Sequence, residues 1–195
     1  MPTVSVIINC LNAENYLKDT LDSVFARTFD DWEIILWDNA STDRTGEIAT
    51  SYGDKIRYFR SETTTDLGPA RNSAFREARG EFLAILDSDD TWYEEKLEHQ
   101  VNLFRSNPKL GLVFCDSTFF DSRGDRYRSF QSGKPKRGAV FGDLLAANFI
   151  VTSTMMYSRA ALDQLGHVFD ERYTRVQDYE LSLRVAYNFP VDYVD

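Results

Sequence analysis

Short, nearly continuous apolar runs alternate along this chain with stretches whose apolar residues recur every three or four positions. The first run, "VSVIINCL", is β-branched and predicts a central strand covered on both faces. After Asn12, the positions Leu17, Leu21, Val24 and Phe25 fall at helical spacing and predict a helix packed back on that strand. "WEIILWD" repeats the strand pattern, and the polar turn in "NASTDRTGEIATSYG" leads to a short helix ending at Gly53. "KIRYF" is a shorter strand. "GPARNSAFREARG" has Pro69 near a helix start, Ala70, Ala74 and Ala78 on one face, and Gly80 just past the end. "EFLAILD" predicts another buried strand. It is followed by a helix in "TWYEEKLEHQVNLFRSNP", with Thr91 and Glu94 at capping-box spacing and a stripe of Leu97, Val101 and Phe104. "LGLVFCDS" and "FIVTSTMMYS" read as strands, "RAALDQLG" and "QDYELSLRVAY" as helices, the last with Leu181, Val185 and Leu183 inward. Residues 121–138, rich in Gly, Ser, Lys and Arg, predict a surface loop or hairpin.

Strands alternating with helices indicate an α/β domain with a largely parallel, Rossmann-like central sheet flanked by helices. Ligands of such sheets sit beyond the carboxyl ends of the strands. The polar residues that end the strands are Asn9 and Asn12, Asp38 and Asn39, and Asp87 to Asp90, which places them on one rim. A length of 195 residues, 43% hydrophobic and 27% charged, fits one domain with a sizeable core. The net charge of −9 argues against nucleic acid as the main partner. Cys10 and Cys115 lie far apart in apolar runs, as small buried hydrophobes do, and suit a reducing compartment better than a disulfide or zinc site. His99 and His167 show no metal spacing. With no charged leader and no apolar stretch of spanning length, the expectation is a cytoplasmic protein, with peripheral membrane contact left open.

The stretch "FLAILDSDDTWYEEKLEHQ", residues 82–100, poses the chemical question. Asp87, Asp89 and Asp90 repel one another wherever water is partly excluded, so holding them together calls for a cation or for raised pKa values. One answer is an oxygen-rich mouth for Mg2+ or Mn2+; another is a solvated acidic loop in which Asp90 caps the next helix. "DSDDT" also fits the D-x-D-x-T signature of aspartyl-phosphate phosphatases, but that chemistry wants the motif on the first strand and a later acidic pair. A calcium loop of the EF-hand type fails because Trp92 stands where Gly is required.

The ordered set "VSVIINCLNAENYLKDTLDSV", "WEIILWDNASTDRT", "GPARNSAF", "GEFLAILDSDD" and "QDYELSLRVA" resembles the family-2 glycosyltransferases of GT-A fold, from about Thr3 to Val194. The resemblance implies a single GT-A domain over 1–195, with a nucleotide-binding half at 1–90 and an acceptor-side half at 91–195. Many such relatives continue beyond the equivalent of Asp195. It implies inverting transfer of a sugar from a nucleotide-diphospho donor, UDP-linked by preference, to a hydroxyl on a glycan, lipid-linked or other acceptor. That chemistry serves polysaccharide, glycolipid or cell-surface glycan synthesis. A non-catalytic nucleotide- or sugar-binding domain and the phosphatase are the alternatives.

By the same resemblance Asn9, Asp38 and Asn39 bind the nucleotide. Asn39 departs from the usual acid, although an amide can both accept from a uracil N–H and donate to its carbonyl. Asp38 has a second reading, holding the Ser41 to Asp43 turn. Arg71 lies near the nucleotide or is a surface arginine on the first turns of a helix. Asp89 meets ribose or metal, and Asp89 or Asp90 ligates Mg2+ or Mn2+ on the diphosphate, with Asp87 behind them. Asp178 is the general base, with Gln177 where the family usually has Glu; its other reading is a helix N-cap or first-turn acid. Thr152, Ser153 and Thr154 line the acceptor side or are ordinary strand residues. Arg123, Arg126, Arg128, Lys134, Lys136 and Arg137 meet a phosphate or an anionic membrane surface, or form a solvated loop.

Overall fold

The computed structural model describes residues 1–195, apart from the side chain of Asp125. The first apolar runs become strands β1 (Val4–Cys10), β2 (Trp32–Asp38), β3 (Ile56–Arg60) and β4 (Phe82–Asp87). Between them lie helices α1 (Leu17–Phe25), α2 (Thr45–Thr50) and α3 (Leu67–Glu77). The second half adds α4 (Lys96–Ser106), β5 (Leu112–Cys115), a hairpin of β6 (Thr118–Asp121) and β7 (Gly124–Arg128), and α5 (Phe141–Ala146). It closes with β8 (Met156–Ser158), α6 (Arg159–Gln164), α7 (Gln177–Asn188) and β9 (Val191–Val194).

Seven strands form one sheet in the order β3-β2-β1-β4-β8-β5-β9. All neighbours are parallel except β8, which runs antiparallel to both β4 and β5. The apolar runs are continuous because each strand points alternate side chains into two cores. On one face Val6, Ile8, Leu36 and Leu86 meet Leu17 and Leu21 of α1 and Leu97 and Val101 of α4. On the other, Ile7, Ile35 and Ile85 meet Ala74 and Phe75 of α3 and Leu181 and Val185 of α7. The chain winds outward from β1 to β3, then returns to place β4 on β1's other side. This reversal opens a crevice at the carboxyl ends of β1 and β4, where parallel α/β sheets take their ligands. Register puts Asn9 beside Trp37 on one side and Asp87 on the other, and Cys10 beside Asp38.

Two local expectations change, and one strand has no counterpart among the expected elements. The Thr91–Glu94 capping box does not form: α4 starts at Lys96 without a side-chain cap. Instead the buried Trp92 pins this segment, its backbone N–H bonding Ser23 Oγ at 3.1 Å and its Nε1 bonding Ser153 O at 2.6 Å. "FIVTSTMMYS" is a strand only at Met156–Ser158, because Thr152–Thr154 coil into a single 3-10 turn in which Thr152 and Ser153 bond side chains and Thr154 bonds Val151 O rather than extending a ladder. Strand β9 is four residues long, with apolar Val194 at its second outward position, and its alternation is too short to stand out in the sequence. The surface hairpin forms as expected. No helix among the described residues is long and apolar enough to cross a membrane.

Candidate active site

The rim begins with two loops laced to each other. Asn12 Oδ1 accepts the Thr42 N–H at 2.8 Å, and the N–H groups of Asn12 and Ala13 donate to Ser41 Oγ and Thr45 Oγ1. The non-glycine residues with left-handed backbone are Asn12 (φ 54°), Ala40 (φ 65°) and Val176 (φ 58°). They lie just after β1, just after β2 and immediately before α7, the segments that carry the predicted site residues. Left-handed backbone costs an L-residue about 1–2 kcal/mol, so it persists where surrounding contacts enforce it, and such strain gathers at functional sites.

Asp38 is fully buried, and the reason is its set of donors. Oδ1 accepts the Ser41 N–H at 2.7 Å, while Oδ2 accepts the Tyr58 hydroxyl at 2.5 Å and Arg60 Nη1 at 2.9 Å. Its carboxylate therefore holds the 39–43 turn from beneath and does not face the rim. This is the second of the two readings given for Asp38, holding the Ser41 to Asp43 turn, and a buried carboxylate draws its donors from inside the fold. Asn39 is also buried and occupied: Oδ1 accepts the N–H and hydroxyl of Thr65, each at 3.1 Å, and Nδ2 donates to Thr65 O at 2.7 Å. The amide ties the 61–65 loop to the end of β2. Asn9, by contrast, has a buried Nδ2 with no hydrogen-bond partner among the described residues.

Arg71 is not a surface residue: α3 buries it to 3% exposure, and its Nη2 donates to Asp87 Oδ1 at 3.0 Å. The helix thus delivers one positive charge under the acidic loop. Burial pushes the Asp87 carboxyl above the usual carboxylate range, Arg71 pulls it back, and Asp90 and Asp89 push it up again. Asp90 is also raised, first by burial, with the Ser153 hydrogen bond opposing and Asp89 adding to the rise. Asp89 is exposed at the tip of the loop. The acids are thus under-compensated, as repulsion between neighbouring carboxylates requires.

Ser153 and Thr152 join this loop to α7. Ser153 Oγ accepts the Asp87 N–H at 3.1 Å and donates to Asp90 Oδ2 at 2.5 Å. The Thr152 hydroxyl donates to Asp178 Oδ2. Asp178 occupies the first turn of α7 but does not cap it; its backbone carbonyl accepts the Ser182 hydroxyl at 2.7 Å. Two adjacent hydroxyls on one turn therefore hold Asp90 and Asp178. Gln177 is buried and donates to Tyr173 O.

Among the described residues no three His, Cys, Asp or Glu side chains gather into a closed metal cage. An open pair such as Asp89 and Asp90 fits a hard divalent ion that takes one or two carboxylates and completes its shell with substrate phosphate oxygens and water. The basic stretch is less free than its composition suggests. Arg123 and Arg126 pair with Asp121, Arg128 with Asp116, Lys134 with Asp195, Lys136 with Asp143 and Arg137 with Asp192. A phosphate would have to displace these carboxylates.

The residues that sequence reasoning passed over are Trp92, Lys96 and Gln100. Their signal was present: two polar residues at i and i+4, Lys96 and Gln100, lie beside the apolar stripe of α4 and are buried with it.

A mostly parallel sheet with an acidic strand end at its reversal point, an antiparallel strand beside it and a second acid delivered by a late helix define the GT-A class of fold. A model described as "Glycosyl transferase family 2" matches residues 5–166, and the chain belongs to that family. It is 40% identical over 167 residues to a putative teichuronic acid biosynthesis glycosyltransferase, TuaG, of Bacillus subtilis, covering 84% of this chain and 65% of that one. An uncharacterized glycosyltransferase of Methanocaldococcus jannaschii is 30% identical over 200 residues, covering 100% of this chain and 68% of the relative. The crystal structure of S. aureus TarS 1-349 superposes with a TM-score of 0.82 at 24% identity, covering 98% of this chain and 58% of TarS. The mannosyltransferase PcManGT from Pyrobaculum calidifontis, in complex with GDP-Man and Mn2+, gives 0.75 at 18% identity, covering 99% and 55%. The chain spans 57% of a Rickettsia typhi relative and 33% of a Rickettsia felis one.

Proposed function

We propose that the chain transfers a sugar from a nucleotide-diphospho donor to an acceptor hydroxyl with inversion, Asp178 taking the hydroxyl's proton as it attacks the anomeric carbon. The observation that carries this reading is the Thr152–Ser153 turn, which binds Asp90 with one hydroxyl and Asp178 with the next. A displacement of this kind needs negative charge handled at the leaving diphosphate and a base at the incoming hydroxyl. The turn holds an acid suited to each task.

Asp89 and Asp90 would hold Mg2+ or Mn2+, which when bound neutralises charge on the leaving diphosphate. The remaining work falls to the chain itself. Asn9, with its unpaired amide, lines the nucleotide side. Asp38 and Asn39 order the loops around it, and Arg71 keeps Asp87 in place behind the metal-holding pair. TarS has been crystallised with UDP and with UDP-GlcNAc, and PcManGT with GDP-Man and Mn2+, which supports a nucleotide-sugar donor here and a UDP-linked one first. TuaG's name, with its teichuronic acid biosynthesis, supports a role for this chain in polysaccharide synthesis.

A panel of UDP-GlcNAc, UDP-glucose and GDP-mannose, assayed for nucleoside diphosphate release with and without Mn2+, tests the reading. Asp178→Asn should lose transfer at least about a hundredfold while donor binding persists, since the base acts only in the chemical step. An unchanged rate removes Asp178 from the mechanism. A non-catalytic binding domain would bind a donor and release nothing. The phosphatase alternative would release phosphate from simple phosphomonoesters and lose that activity in Asp87→Asn; against it, Asp87 sits on the fourth strand and is engaged by Arg71.

A further inference from the structure

Beneath the turn that joins the two acids lies a buried polar chain that neither acid touches. Lys96 and Gln100 stand one helical turn apart on α4, 7% and 0% exposed. Lys96 Nζ donates to Gln100 Oε1 at 2.7 Å and rests 3.9 Å from the centre of the Trp92 ring. Gln100 Nε2 donates to Thr154 O at 2.8 Å and to Val113 O at 3.1 Å. Trp92 Nε1 donates to the preceding carbonyl, Ser153 O, at 2.6 Å. The carbonyls of two successive residues in the turn are therefore gripped from α4 and its lead-in, while the hydroxyls of Thr152 and Ser153 face the acids on the other side.

The chemistry allows one orientation of the Gln100 amide. A primary amide offers two donors at nitrogen and only acceptor sites at oxygen. A flip would set Oε1 against two carbonyl oxygens and turn the NH2 group toward an ammonium. Lys96 thus fixes the amide, and the amide fixes the turn.

We propose that Gln100 is a positioning residue for the transfer reaction: through Thr154 and Val113 it holds the 152–154 turn so that Asp90 and Asp178 keep one separation. The inference rests on the reading of Asp90 and Asp178 given above. Gln100 touches neither substrate nor acid. Its effect is on geometry, where a misplacement of about 1 Å costs on the order of a hundredfold in rate.

The test uses Gln100→Glu, which keeps the side chain's size and its bond from Lys96 but removes the donors to the two carbonyls. Nucleoside diphosphate release from the same three nucleotide sugars, UDP affinity with Mn2+, thermal midpoint and amide hydrogen exchange are measured on wild type and variant. The expected result is a kcat at least tenfold lower with UDP affinity within about twofold of wild type, as for loss of an interaction made in the transition state alone. Exchange should quicken at the amides of Thr154 and Met155, which close the turn onto Val151 O and Thr152 O. Gln100→Met, which removes both donors without placing a charge in the core, should reproduce the kinetic split, and it stands as the second variant if Gln100→Glu fails to fold. A folded Gln100→Glu with undiminished kcat, or one in which kcat and UDP affinity fall together, overturns the proposal, as does exchange at the turn that stays unchanged. A wild type that turns over none of the donors overturns the catalytic reading and this one with it; accelerated exchange with full kcat overturns the positioning role alone.

Discussion

Arg71 Nη2 lies 3.0 Å from Asp87 Oδ1, a cation from the buried face of α3 against the last residue of β4. The pair is unequal: Arg71's side chain is 4% exposed and Asp87's 42%. Removing the arginine strips a buried countercharge, but water reaches the acid left behind. Arg71→Leu should therefore cost about 1–3 kcal/mol, less than the rupture of a fully buried pair. Adding Asp87→Asn should return part of the loss. Urea denaturation of the two single variants and the double variant measures this coupling; strictly additive losses would show that the contact contributes nothing.

Thr152 holds Asp178 through its hydroxyl alone. Thr152→Ser keeps the donor and should retain most of the activity. Thr152→Val keeps the shape and loses the donor, and should lower kcat about tenfold or more through a misoriented base, with little change in thermal midpoint. Steady-state kinetics of the pair decides the matter, and equal rates in the two variants would remove the hydrogen bond from the account.

Much of this arrangement is legible in the sequence. The continuous apolar runs give the parallel strands, and the polar residues ending them give the rim, because burial on both faces and exposure at strand ends leave different compositions. Asp87, Asp89, Asp90 and Asp178 stand out as acids at the end of a buried strand and at the start of a helix. What periodicity does not report is which acids look inward. Asp38 and Asp90 differ little as letters, yet Ser41, Tyr58 and Arg60 enclose the first, and those donors come from a neighbouring strand and a turn. The 152–154 turn is hidden for a related reason. Its residues have strand-like composition, and only the tertiary positions of Asp90, Asp178 and Gln100 make a coil the better way to satisfy its polar groups.

Lys96 gives the fold a pH signature. Burial pushes its ammonium down from 10.5 to about 8, opposed by Cys115 and assisted by Arg27, which faces it with the Trp92 ring and the Gln100 amide. Between those two values the unfolded chain holds the proton that the folded one has lost, so this group adds stability as pH rises through the window, by about 1 kcal/mol per pH unit. The buried tyrosines and cysteines, raised by burial, pull the other way in both proteins under comparison. The difference in stability between wild type and Lys96→Met should therefore shift in favour of wild type from pH 8 to 10. A difference that is flat over that range would mean Lys96 titrates as it does in water.

Transfer as proposed depends most on Asp89 and Asp90 holding the donor diphosphate through a divalent ion. Calorimetric titration of UDP, and in parallel GDP, into the full-length protein with and without Mn2+ tests it directly. Uptake of one of these nucleotides should depend on Mn2+ and weaken at least tenfold in Asp89→Asn combined with Asp90→Asn. Uptake that is equally strong without the metal, or undiminished in the double variant, would contradict it.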